Sequence, residues 1–127
     1  MNTSDRGAFD ESPIRDAERR LAAALQSADP TAWVYEYTQD AVFDAGGEHA
    51  AQGREALLAM AHSMRRLSDV SIHALRTEGR GDLAAVWCEA SWISGTGPDT
   101  RKVAVRGIIV WRRDSDGQWR VAFEHIG

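Results

Sequence analysis

The sequence predicts an α+β domain in which three helices precede an antiparallel meander of strands. Apolar residues recur at spacings of three and four through the first half of the chain, and after about residue 70 they alternate with period two. Short glycine-rich turns separate the alternating segments. Helices grouped ahead of strands, rather than interleaved with them, favour α+β packing over a parallel α/β sheet.

Residues 1 to 11 show no periodicity and are expected to form a flexible N-terminal tail, leaving 12 to 127 as the domain. Ser12-Pro13 reads as a helix start, because serine caps free N–H groups and proline at the first helical position gives up a donor without a partner. Ile14, Ala17, Leu21, Ala24, Leu25 and Ala28 then share one stripe. Asp29-Pro30 repeats the start signal before a short helix, TAWVYEY. Ala41-Val42-Phe43-Asp44 reads as a strand turned back at Gly46-Gly47, and a third helix, REALLAMAHSMRRL, follows Gly53. Strands are expected at 70–78, 82–94, 102–113 and 118–126. The two middle ones are apolar on both faces, since Trp87 opposes Val86 and Cys88 while Trp111 opposes Val110. The helices cover one sheet face, so the other is expected to meet a second copy in a homodimer.

Composition narrows the functional classes. A hydrophobic fraction of 43% with 27% charged residues is that of a globular domain that folds around a core. A net charge of −4 supplies no general attraction to nucleic acid or anionic membrane, and neither is expected as a partner. One cysteine, Cys88, excludes an intrachain disulfide and a paired-thiolate metal site. The polar N-terminal stretch lacks a signal-peptide pattern and no apolar run is long enough to span a bilayer, so a cytoplasmic location is expected. His49, His62, His73 and His125 show no metal-ligand spacing, and neither metal nor other cofactor is expected.

The element order resembles the nuclear transport factor 2-like superfamily, and in particular its SnoaL-like and ketosteroid isomerase-like branches. The stretches that carry the resemblance are Ala28-Asp29, Tyr37-Thr-Gln-Asp40-Ala-Val-Phe-Asp44, Gly53-Arg54-Glu55-Ala56-Leu57 and Asp116-Gly-Gln-Trp119-Arg-Val121. It implies a cystatin-like cone, with three N-terminal helices packed on a strongly curved antiparallel sheet around an apolar pocket. It also implies a small-molecule-binding protein, an isomerase, lyase or cyclase among the possibilities, or else a non-catalytic dimeric binding or assembly module. The fold is shared by many activities and does not choose among them.

By the same resemblance Asp44 matches the carboxylate base of the isomerases, because it stands nine positions (53 − 44) before Gly53. Counted from the Tyr37/Asp40 side, the match falls on Ala45, and one residue along a strand exchanges faces. Aspartate at this place also serves simply to start the turn at Gly46. The family's oxyanion donors fall on Leu21 and Ile109, which cannot donate, so steroid isomerisation is not expected.

His125 lies in line with Trp119, Val121 and Phe123 and is a second candidate for the pocket or a structural histidine; Glu124 is expected to point the other way and pair with an arginine of the sheet. Arg106, flanked by apolar residues, is a candidate anchor for a ligand carboxylate. Trp33, Tyr37 and Trp92 are expected to line the cavity. Small residues sharing a strand face with Val86 and Cys88 leave room in it, and Met60 and Met64 adapt to its shape. The expected ligand is a small apolar or carboxylate-bearing molecule.

Overall fold

The computed structural model describes residues 8–47 and 49–127. Helices α1 (Ser12–Gln26), α2 (Pro30–Tyr35) and α3 (Arg54–Ser63) pack on one face of a six-stranded sheet. The strands are β1 (Tyr37–Asp44), β2 (Ala50–Gln52), β3 (Leu67–Arg80), β4 (Leu83–Ser94), β5 (Arg101–Arg113) and β6 (Trp119–Ile126). Their order across the sheet is β2-β1-β6-β5-β4-β3, so the expected meander runs from β3 to β6. β1 then joins β6 as a parallel neighbour, and β2 pairs antiparallel with β1. No helix among the described residues is long and apolar enough to cross a membrane.

Local chemistry explains the helix ends. The Ser12 N–H donates to Asp10 Oδ1 (3.0 Å), so aspartate rather than Ser12 supplies the polar contact at the start of α1. Asp29 caps α2 as expected, accepting from the Thr31 N–H at 3.0 Å. Gly53, at φ 83°, makes the left-handed step into α3 and donates its N–H to the Ala41 carbonyl at 2.7 Å. The helix stops at Ser63, short of the expected Leu67, because Leu67 pairs with Ser94 and the Arg66 carbonyl accepts the Gly95 N–H at 2.8 Å. Pairing with β4 prevails there over helical propensity. Of the tail expected at 1–11, residues 1–7 lie outside the described residues. Phe9 is half-buried, stacked edge-on against Trp119 with ring centroids 5.8 Å apart, so this part of the segment is docked.

The core lies between the helices and the sheet. Ile14, Ala17 and Leu21 of α1 and Leu57 of α3 meet cross-strand rows on the inner sheet face. One row runs Ala84, Trp111, Val121, Tyr37; a second runs Val86, Ile109, Glu124, Phe43; a third runs Cys88, Gly107, Ile126. The outer face carries the rows Ala85, Val110, Phe123, Val42 and Trp87, Ile108, His125, Asp44.

One irregularity decides which residues of β6 belong to which face. Val110 pairs with Phe123 but its neighbour Trp111 pairs with Val121, leaving Ala122 as an extra residue in β6. Such a bulge reverses the alternation beyond it. Val121 points inward as expected, whereas Phe123 and His125 turn outward and Glu124 turns inward, the reverse of the sequence-based expectation.

The fit of β5 to β6 gives a direct test. A Cβ at Gly107 would lie 2.3 Å from the His125 carbonyl oxygen and 2.8 Å from Ile126 Cγ2. Gly107→Ala should therefore cost about 1–3 kcal/mol, as overpacking does elsewhere. Urea unfolding reads the change, and an unaltered midpoint would contradict this packing.

Candidate functional site

The bulge places a carboxyl group in the apolar interior. Tyr37, the first residue of β1, is held there because its carbonyl accepts from Arg54 Nε at 3.0 Å and Nη2 at 2.7 Å. Its hydroxyl donates to Glu124 Oε1 at 2.5 Å, across a sequence separation of 87 residues. Trp33 meets Tyr37 edge-on, with ring centroids 5.2 Å apart, and meets Phe43 at 6.2 Å. Tyr37 is fully buried and Glu124 keeps only 9% of its surface accessible.

Burial makes the Glu124 carboxylate costly, and its pKa rises from 4.5 to about 7 even though the Tyr37 hydrogen bond favours the ionised form. The Tyr37 phenol is pushed well above its ordinary value, first by burial and then by the neighbouring Glu124 charge and bond. Burial, with Glu124 and Glu18 adding to it, pushes the Cys88 thiol up to about 12, which leaves it an unreactive packing residue. Glu18 of α1 is also buried; its pKa is raised by desolvation against the opposing charge of Arg15, whose Nε lies 3.0 Å from Glu18 Oε1.

The interior holds polar atoms without hydrogen bonds. The indole N–H groups of Trp33 and Trp111 and Oε2 of Glu18 are buried and find no partner among the described residues. The Trp33 N–H lies on the Tyr37 hydroxyl side, where it helps to hold the phenol's pKa down, but it makes no bond of normal geometry. Buried donors normally find partners, so each is a point at which a ligand or water can be received.

Next to this interior, a cleft of about 280 Å³ opens where the end of α1, the start of α2, the end of α3 and the start of β3 converge. Ala24, Leu25, Ala61 and Met64 give it apolar walls, and Trp33 lines it while also touching Tyr37.

The residues expected at the site fall into two sets. Leu21, Tyr37, Val86, Cys88 and Ile109 are buried in the interior, with Met60 half-buried against them. Trp33 and Met64 line the cleft, and Trp92, paired with Val103, is half-buried on the inward parity of β4. The second set is corrected. Arg106 points outward, its side chain 76% exposed and paired with Glu89 at 3.0 Å, because its strand position alternates with the inward Gly107 and Val105.

Asp44 also lies on the outer face, with its side chain 43% exposed and Oδ1 accepting the Gly46 N–H at 2.8 Å, the bond of a turn former. His125, the second candidate, lies beside it with Nδ1 3.4 Å from Asp44 Oδ2, also on the side away from the helices. Ala45 instead packs against the core, in line with the count from the Tyr37/Asp40 side. Strict alternation through Ala122 puts Glu124 on the outer face, and the bulge there turns it inward. The available signal was Tyr37, since a phenol in a buried segment needs a hydrogen-bond partner. Among the described residues, no group of three or more His, Cys, Asp or Glu side chains is placed to hold a metal ion.

Comparison with known proteins agrees with the architecture. A profile of the SnoaL-like domain matches residues 18–122. The fold is similar to that of a protein of unknown function from Mycobacterium tuberculosis, at 22% identity and a TM-score of 0.78, over 91% of this chain and 69% of that one. It is similar to a ketosteroid isomerase-like protein from Erwinia carotovora atroseptica, at 21% identity and 0.77, over 93% and 96%. A candidate scytalone dehydratase from Novosphingobium aromaticivorans superposes at 14% identity and 0.78, over 90% and 80%. At these identities the likeness shows the fold alone, which another neighbour shares as a cystatin-like fold. No curated protein matches the chain significantly.

The buried carboxyl has a consequence for stability. Between pH 4.5 and about 7 the folded chain keeps a proton on Glu124 that the unfolded chain has released. Its contribution is fully present below about 4.5 and lost as the pH rises through about 7, to the extent of about 3 kcal/mol. Glu124→Gln should remove that loss, so that denaturant unfolding at pH 5 and pH 8 gives nearly equal stabilities for the variant while the parent is weaker at pH 8. An equal pH dependence in both proteins would show that the carboxyl is solvated.

Proposed function

The chain belongs to the SnoaL-like domain family, and from that premise we propose that it binds a small, largely apolar molecule in the cleft beside Trp33 and moves a proton on it with Glu124. The observation that carries this reading is the Tyr37–Glu124 pair, a carboxyl titrating near neutral pH inside an apolar interior. A general base works best when its pKa lies near the working pH, because it is then both available and strong enough to accept a proton. Asp44, turned to solvent on the outer face, lies outside that interior.

Isomerisation and dehydration next to a carbonyl both begin with removal of an acidic C–H proton, and names of both kinds occur among the structural neighbours. Negative charge then develops on the carbonyl oxygen. The unpartnered N–H groups of Trp33 and Trp111 are the donors on hand to receive it. Tyr37 holds the carboxylate in one orientation, and its hydroxyl becomes available to the ligand once Glu124 has taken the proton. A ligand seated in the cleft meets the ring of Trp33, which also packs edge-on against Tyr37. Leu21 and Ile109 contribute shape only, so a steroid isomerase's pair of acidic donors has no counterpart at those positions.

A second copy of the chain is proposed to cover the outer sheet face. The row Ala85, Val110, Phe123, Val42 is apolar across four strands, and Leu83, Trp87 and Phe123 are exposed large side chains on this face. Exposed apolar rows of this extent belong to interfaces. Under a reading without catalysis, this dimer face is the functional element and the interior is vestigial.

Two measurements test these readings. Native mass spectrometry of the purified protein, followed by turnover assays on whatever ligand it carries, should show Glu124→Gln retaining the ligand and losing activity by about 10²-fold or more, with Asp44→Asn close to the parent. Loss of activity in Asp44→Asn alone would return the base to the outer face. Light scattering coupled to size exclusion should give a dimer that Phe123→Glu converts to monomer; a monomeric parent would remove the second copy.

A further inference from the structure

The cleft beside Trp33 has a chemical asymmetry that narrows its ligand. Its walls toward α1 and α3 are apolar, with Ala24, Leu25, Ala61 and Met64, whereas His62, Arg65 and Arg66 follow one another along its rim. None of these three makes a salt bridge among the described residues. Of the other described arginines, Arg15, Arg19, Arg20, Arg76, Arg106, Arg112, Arg113 and Arg120 face carboxylates, whereas Arg54, Arg80 and Arg101 form no salt bridge among the described residues.

Arg65 Nη2 donates to the Asp99 carbonyl at 3.1 Å and stands close to Gly95, where a Cβ would lie 2.4 Å from that nitrogen. The contact orients the guanidinium without neutralising it. Arg66 gives its carbonyl to the Gly95 N–H, which ties its backbone to the end of β4 while leaving the side chain exposed. The one acid in the lining, Asp29, already serves as the cap of α2 through the Thr31 N–H. The cleft thus has an apolar floor and a positive rim held at a fixed place by backbone contacts.

We propose that this cleft selects a compact apolar carboxylic acid, bound with its carboxylate at Arg65 and Arg66 and its hydrocarbon or aromatic body against Trp33, Leu25 and Ala61. The proposal rests on the reading of the cleft as the ligand site and names the class of molecule it takes. Guanidinium groups bind carboxylates through charge-assisted, often forked hydrogen bonds, and neutral isosteres lack them. A cleft of about 280 Å³ suits a compact body rather than a long chain. The carboxylate at the rim stays away from Glu124, and the body of the ligand carries its reactive carbon inward. Arg106, the anchor expected from sequence, is replaced in this role by arginines that follow α3.

The test uses the full chain and two probes of one shape, 2-naphthoate and the neutral ketone 2-acetylnaphthalene, titrated calorimetrically at low salt. The acid is expected to bind roughly ten- to a hundredfold more tightly than the ketone, the range a charge-assisted contact gives. The double variant Arg65→Gln/Arg66→Gln should lose that preference while keeping its affinity for the ketone. Trp33→Ala should weaken both probes. Equal binding of acid and ketone to the parent, or a preference that survives in the double variant, overturns the anionic selectivity while the apolar site stands. Failure of both probes to bind overturns the site as well. Circular dichroism of each variant confirms that a lost preference does not come from lost fold.

Discussion

The hydrogen bond from Tyr37 to Glu124 joins the beginning of the sheet to its end, and the rest of the interior is arranged around it. Tyr37 opens β1 and Glu124 lies two residues from the close of β6, so the bond spans the parallel pairing that attaches the β1–β2 hairpin to the antiparallel meander. Without β1 beside β6, helix α3 and the hairpin have no sheet to pack on. Without the extra residue Ala122, the carboxyl would face solvent and the phenol would be buried with no acceptor. A buried hydroxyl left in that state costs about 1–3 kcal/mol, which accounts for why bulge and tyrosine belong together.

The pair is also an energetic burden. Glu124 lies in a row with Val86, Ile109 and Phe43, all buried and none able to donate a hydrogen bond from its side chain. A phenylalanine and a leucine would fill this space without a desolvated carboxyl, and apolar replacement of buried polar pairs is often neutral or stabilising. Stability alone therefore gives no reason for the group. Cys88 shows the contrast: it sits in the next row on the same face, and the environment that brings Glu124 into the neutral range drives the thiol out of it. One set of surroundings produces a carboxyl able to exchange a proton and a thiol that is inert.

Much of the fold was legible because period and punctuation agree. The Asp29 cap, the Gly46-Gly47 turn and the alternation along β4 and β5 each arise from local rules, and those elements fall where the sequence puts them. The missed features are non-local. β1 starts at Tyr37 rather than Ala41, since its first residues are fixed by Arg54 and by the bulged pairing with β6, neither of which leaves a mark in the segment itself. Helix α3 stops early because β4 captures Leu67. The interior residues Leu21, Val86 and Cys88 follow from periodicity before the bulge, and Ile109 from the family resemblance. Beyond it, His125 and Glu124 exchange faces, and with them goes the assignment of the base. A one-residue error in β1 had the same effect on Asp44 and Ala45. Sites built on strands are exposed to this failure because a step of one residue moves a side chain through the sheet.

The two faces of the sheet then divide the chemistry. On the outer face the polar groups are satisfied by one another: Arg106 meets Glu89, Arg112 meets Asp40, and Asp44 meets both His125 and the Gly46 amide. On the inner face the indole N–H groups of Trp33 and Trp111 and one oxygen of Glu18 have no bonded partner, and Glu124 has Tyr37 alone. A folded chain normally leaves few such groups in its interior. Packing accounts for the apolar members of that interior. On the function proposed above, its polar members await a ligand that supplies what the protein withholds, an acceptor for the indoles and a proton for the carboxylate.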